Sequence, residues 1–159
     1  MANAVKPIPE GYHTINPALT VRNAAAAIEF YKKAFGAVET VRMPGPDGKI
    51  GHAELRIGDS VLFLSDEWPG MAVAPSLSGP PSNYLFMYVP DADRTFSQAI
   101  ASGATATMPV QKQFWGDRYG KLTDPFGHHW GIATHVEDVS PEEMERRQAE
   151  FFKKAAGQS

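Results

Sequence analysis

The sequence predicts an α+β fold: two tandem βαβββ modules, each with a mixed sheet, followed by a C-terminal helix. Three observations predict it. A strand-to-helix pattern occurs twice, the residues after each helix alternate between apolar and polar, and a separately capped helical stretch closes the chain. Matching landmarks recur at near-constant spacing: Val21 with Val89, Gly36 with Gly103 and Gly58 with Gly127, at offsets of 68, 67 and 69 residues. This is the signature of a duplicated unit. It divides the chain into a first module at 1–66 with an N-terminal tail at 1–11, a linker at 67–81, a second module at 82–136, and a helix and tail at 137–159.

In the first module, a strand reaching Leu19 and Val21 runs into Asn23, whose side-chain oxygen can accept an orphan backbone N–H at a helix start. Ile28, Tyr31 and Phe35 then recur on one helical face, and Gly36 stands where a left-handed residue ends a helix. Strands follow at Ala37–Met43, Ile50–Ile57 and Ser60–Ser65, with turns at Pro44–Lys49 and Gly58-Asp59. The second module repeats the plan. Its strand Leu85–Val89 precedes a cap at Asp91 or Asp93, an apolar stripe of Phe96 and Ile100, and a terminator at Gly103. Strands at Thr105–Gln113, Trp115–Thr123 and His128–Thr134 complete it, the last two joined by the turn Asp124-Pro125-Phe126-Gly127. The prolines and glycines of Glu67–Pro81 mark the linker. Ser140, Pro141 and Glu143 give the last helix its N-cap, a first-turn proline and a glutamate placed for a capping box.

Composition narrows the function classes. The chain has 159 residues, 43% of them hydrophobic, which is enough for a real core. Fifteen basic and eighteen acidic residues leave a net charge of −3, so no basic surface for nucleic acid is expected. With no cysteine, disulfides, thiolate nucleophiles and cysteine-bound metals are excluded. No apolar run approaches the ~20 residues of a membrane span. The opening MANAVKPIPEGY carries prolines and a glutamate where a secretory signal needs an apolar run, so a cytoplasmic location is expected. Nucleotide-binding glycine loops and a nucleophile elbow are lacking as well.

Strand alternation sorts side chains into two faces. Ile15, Leu19, Val21, Ala53, Leu55, Ile57, Leu85, Met87, Val89, Trp130 and Ile132 are expected beneath the helices. The opposite face is expected to collect Asn16, His52, Glu54, Leu62, Leu64, Tyr84, Phe86, Tyr88, Tyr119 and His129, with Trp115 near its rim. A solvated face rarely spends so many rings, so this composition predicts a small-molecule site. The competing use of the same rings is a seam between subunits or a second core. His52, Glu54 and His129 are the candidates for acid–base work or for a non-standard divalent ion; the plainer use of His52 and Glu54 is a hydrogen-bonded pair. Arg118 is expected to pin the turn through Asp124 or to clamp a ligand anion, and His128 to finish that turn. His13 and His135 read as edge and surface residues.

The stretches NAAAAIEFYKKAFGA, GHAELRIGDSVLFLSDE and WGDRYGKLTDPFGHHWGIATHVEDVS resemble the vicinal oxygen chelate superfamily. That group holds glyoxalase I, bleomycin-resistance proteins, fosfomycin-resistance enzymes and extradiol dioxygenases. The resemblance runs from Tyr12 to Pro141 and is nearest to the glyoxalase-like, demethylubiquinone-methyltransferase-like branch. It implies paired modules forming a ligand cup, within one chain or across a homodimer. For the metal enzymes of the family it implies ligands at positions that fall here on Asn16, Leu62 or a close neighbour, Tyr84 and Gly131, none of them a good divalent-metal donor. A homodimer that binds a small aromatic or amphipathic molecule without the usual metal or other cofactor is therefore expected. The alternatives are a lyase, isomerase or oxygenase using His52, Glu54 and His129, or a relative whose cup is filled by its own chain.

Overall fold

The computed structural model describes residues 5–157. Its elements run β1 (Ala18–Val21), α1 (Ala24–Phe35), β2 (Val38–Pro44), β3 (Ile50–Ile57), β4 (Ser60–Asp66), β5 (Leu85–Tyr88), α2 (Ala92–Ala101), β6 (Thr105–Lys112), β7 (Asp117–Thr123), β8 (His129–His135) and α3 (Pro141–Ala156). The duplication is visible in the topology. One sheet has strand order β1-β4-β3-β2 and the other β5-β8-β7-β6. In each, the first and last strands pair in parallel and the remaining pairs are antiparallel. A parallel return needs a crossover, and α1 and α2 supply it.

Local chemistry sets the element ends. Asn23 accepts from Ala26 N, and Gly36 takes φ +66 so that its N–H can close on Lys32. Asp91, not Asp93, caps α2 by accepting from Arg94 N. Its helix ends at Ser102, one residue before the expected Gly103. Ser140 accepts from Glu143 N as a capping box requires. The Glu143 carboxylate does not reach back; Arg146 and Arg147 engage it and hold its pKa at about 2. Arg147 also donates to Glu137 and to the Phe114 carbonyl, which ties α3 to the segment after β8 and to the loop before β7.

Cores form where the alternation places them, with three corrections. Leu19, Val21, Ala53 and Leu55 are buried with Ile28 and Tyr31 of α1. Ile15 is not core: β1 starts only at Ala18, because the Asn16 side chain folds back on both the N–H and the carbonyl of His13. Leu62 and Leu64 are buried on the helix side rather than on the open face. Leu55 sits opposite Leu62 and Ala53 opposite Leu64, and directly opposed residues share a face. Phe63 and Val61 take the open side instead. In α2 the buried positions are Ala92 and Ala99, and Ile100 is exposed, since small residues let that helix lie close to β6, β7 and β8.

The described backbone divides into two units, residues 5–80 with Pro125–His128, and residues 81–124 with 129–157. The linker is thus not a free tether. Glu67 N–H donates to the Val21 carbonyl, its carboxylate accepts from Ala74 N, and Trp68 bridges to Ala72. The turn Pro125–His128 is counted with the first unit. The Phe126 ring meets Phe30 at 6.0 Å and Tyr31 at 6.4 Å, and His128 Nε2 lies 2.9 Å from the Thr20 carbonyl. His128 therefore anchors the turn to β1. Among the described residues no helix is long and apolar enough to cross a membrane.

Candidate functional site

On the second sheet, Phe86 lies beside Gly131 and Tyr88 beside Ala133, while Tyr119 faces Ala133, Lys121 faces Gly131 and Thr123 faces His129. All of these share the face turned from α2. Tyr84, Phe86 and Tyr88 remain 48%, 43% and 64% exposed, as the alternation requires. The rings make a continuous ladder: Trp115 to Tyr119 at 5.9 Å, Tyr119 stacked on Phe86 at 5.2 Å, and Phe86 edge-on to Tyr88 at 5.1 Å.

A buried carboxylate fixes both ends of the ladder. Asp117 is 2% exposed and accepts from the Tyr88 hydroxyl and Trp115 Nε1, each at 3.0 Å, and from His135 Nδ1 at 2.8 Å. The second nitrogen of His135 reaches Asp138 at 2.8 Å, so Asp138 and then Asp117 raise the imidazole pKa. Asp117 likewise raises the pKa of the Tyr88 phenol.

Tyr119 shows how closely the middle of the ladder is fitted. A Cβ at Gly131 would stand 2.8 Å from Tyr119 Cε2 and 3.0 Å from its hydroxyl, so only glycine lets the ring lie down there. The residue is 5% exposed, and its hydroxyl meets no partner in hydrogen-bonding geometry among the described residues. Burial first, and the nearby Tyr84 hydroxyl second, push its pKa upward. Lys121, a residue the sequence reading did not single out, places its ammonium 4.9 Å from the Tyr84 ring centre and 5.9 Å from that of Tyr119. His129 is half-buried, with Nδ1 2.9 Å from the Thr123 hydroxyl. Arg118 lies away from this face; it grips Asp93 through two 2.7 Å bonds, not Asp124, which accepts from Trp130 Nε1.

The first unit carries a different arrangement. A groove of about 530 Å³ is lined by Tyr12, His13, Asn16, Glu54 and Phe63 along with the Pro7–Pro9 segment. Glu54 accepts from His52 Nε2 at 3.0 Å and from the Tyr12 hydroxyl, and these bonds hold its carboxyl below the usual range. An ionised Glu54 can only accept, so His52 Nε2 is the donor of their bond. Phe63 packs against His52 at 5.2 Å and Tyr12 at 6.1 Å. His13 contributes Nε2 to the Asp59 carbonyl. His52 and Glu54 therefore meet, as expected, but Tyr12 is their third member. His129 lies in the other unit, bonded to Thr123. Leu62 and Leu64, being core, line neither face.

The sequence pattern of the Glyoxalase/Bleomycin resistance protein/Dioxygenase superfamily matches residues 13–132. The chain belongs to this superfamily. Among relatives, an uncharacterised protein of Mycobacterium tuberculosis is 45% identical over 136 residues, covering 82% of this chain and 79% of its own. Among solved structures, TioX from Micromonospora sp. superposes with a TM-score of 0.61 at 24% identity, over 77% of this chain and 99% of its own. A Bacillus cereus protein described as a putative 3-demethylubiquinone methyltransferase gives a TM-score of 0.61 at 18% identity, over 77% and 99% of the two chains. At that distance both structures establish the fold alone. For this superfamily member the four positions implied by the family's metal enzymes do not fit a divalent ion. The Asn16 amide is spent on His13, Leu62 points to the core, Tyr84 offers a neutral phenol, and Tyr119 occupies the space above Gly131. Among the described residues no group of three His, Asp or Glu side chains could hold a metal ion.

Proposed function

We propose that this protein binds a small aromatic or amphipathic molecule on the ring-bearing face of its second sheet, with stacking and apolar burial supplying the affinity. The observation that carries this reading is the ladder Trp115–Tyr119–Phe86–Tyr88, with Tyr84, Phe86 and Tyr88 each more than two-fifths exposed. Such rings are costly to leave in water, at about 25 cal/mol for each Å² of apolar surface. Each new ring pair adds about 0.5–1.5 kcal/mol beyond that area. The ladder is also held in advance by Asp117, so little side-chain freedom is lost when a flat ligand arrives.

Titration with the neutral probe 2-naphthalenemethanol, followed by NMR, tests the proposal. Resonances of Phe86, Tyr88 and Trp115 are expected to shift in the native protein. In a Tyr84→Ala/Phe86→Ala variant that keeps its circular dichroism spectrum, those shifts should vanish. Unimpaired binding by that variant, or failure of the native protein to bind this alcohol and its carboxylate and ammonium counterparts alike, overturns the reading.

A further inference from the structure

We infer that the ligand of the second sheet is an aromatic carboxylate, its ring on Phe86 and Tyr88 and its two oxygens taken by the Lys121 ammonium and the Tyr119 hydroxyl. This rests on the binding reading above and adds the charge of the ligand to it. Two independent observations support it.

The first is an unanswered positive charge. Lys121 forms no salt bridge among the described residues and stands over the rings of Tyr84 and Tyr119. The carboxylates and imidazoles on and beside this face are already engaged. Asp117 accepts from three donors, His135 lies between two aspartates, and His129 is bonded to Thr123. The carboxylate of Glu137 is held by Lys112 and Arg147. An arriving anion therefore meets an ammonium without a salt bridge and no opposing free carboxylate, whereas an arriving cation is repelled by that ammonium and finds only ring faces to attract it.

The second is an unanswered donor. The Tyr119 hydroxyl is buried and, among the described residues, meets no partner in full hydrogen-bonding geometry, with only the Tyr84 hydroxyl near it, so a well-placed acceptor would satisfy it better. With its pKa pushed upward the phenol stays protonated and can only be satisfied as donor by an acceptor oxygen. The entering oxygen would take the place beside the Tyr119 hydroxyl that the half-exposed Tyr84 holds. A carboxylate offers two acceptor oxygens, one for the ammonium and one for the phenol. Its attached ring then lies on Phe86 and Tyr88.

Three probes of one shape decide the matter near pH 7.5, where the acid and the amine are both ionised: 2-naphthoate, 2-naphthalenemethanol and 2-naphthylmethylammonium. Naphthoate is expected to bind about tenfold more tightly than the alcohol, and the ammonium compound most weakly. Lys121→Met should bring naphthoate to the level of the alcohol. Tyr119→Phe should weaken naphthoate while the free protein melts at the same or a higher temperature, because a buried unpaired hydroxyl has been removed. Equal binding of naphthoate and alcohol, or a preference that survives in Lys121→Met, overturns the carboxylate inference and leaves the aromatic-binding reading standing. Failure of all three probes overturns both.

Discussion

Asp117 decides whether the rings of the second sheet are a prepared surface or a loose cluster. Its three donors come from β5, from the loop before β7 and from β8, so one side chain sets the angle of Tyr88 and Trp115 together. An amide cannot replace it, because an asparagine there would offer one acceptor oxygen and turn two N–H groups toward existing donors. Asp117→Asn is expected to destabilise the protein by about 1–3 kcal/mol and to change the emission of Trp115. Urea unfolding and fluorescence of the variant check both effects; unchanged emission would mean that the carboxylate does not position the indole. At this same scale the sequence conveyed the rings but not what holds them. Tyr84, Phe86 and Tyr88 alternate plainly, whereas Lys121 looks like any solvated lysine in an amphipathic strand. Tyr12 precedes the first strand, where no periodicity marks it, and only the folded chain brings it to Glu54.

Elements are joined by another buried carboxylate. At the end of β4, Asp66 accepts from Ala24 N at the start of α1 (2.9 Å) and from Ile50 N at the start of β3 (2.7 Å). One side chain thereby satisfies an orphan donor of the helix and ties the end of one strand to the start of another and of a helix. Asp66→Ala leaves two buried N–H groups unanswered, at about 1–3 kcal/mol each. Amide hydrogen exchange should accelerate at Ala24 and Ile50 before other sites of the first unit; uniform acceleration would show that the carboxylate has no local role. The order and type of all the regular elements in both modules could be read from hydrophobic period and caps, and β3 to the residue, because alternation there ends in the two-residue turn Gly58-Asp59. The face of β4 could not be read by parity counted from β4 alone. It follows from the hairpin, which sets Ile57 opposite Ser60 and hence Leu62 opposite Leu55. The start of β1 was hidden because a side chain, Asn16, ends the preceding loop by bonding backbone groups.

For the molecule as a whole, the two units are not the two halves of the sequence. The turn that connects β7 to β8 is seated with the first unit, its Phe126 ring among Phe30 and Tyr31 and its His128 on the Thr20 carbonyl. Loss of the first unit's order removes the seat of that turn, and the β7–β8 pairing is the central ladder of the second sheet. Calorimetry should therefore show a single transition, with equal calorimetric and van't Hoff enthalpies. Phe126→Ala should lower it as one event, by about 3–5 kcal/mol if the ring's burial is typical of a core phenylalanine. Two resolved transitions would show that the turn does not couple the units. There is an evolutionary corollary. Tandem copies commonly diverge as independent cassettes, each screened by selection for its own sake. Here a substitution at Phe30 or Tyr31 in one copy is also tested through a hairpin encoded in the other, so neither copy can be exchanged, shuffled or replaced by a second version of its sibling without taking that turn along.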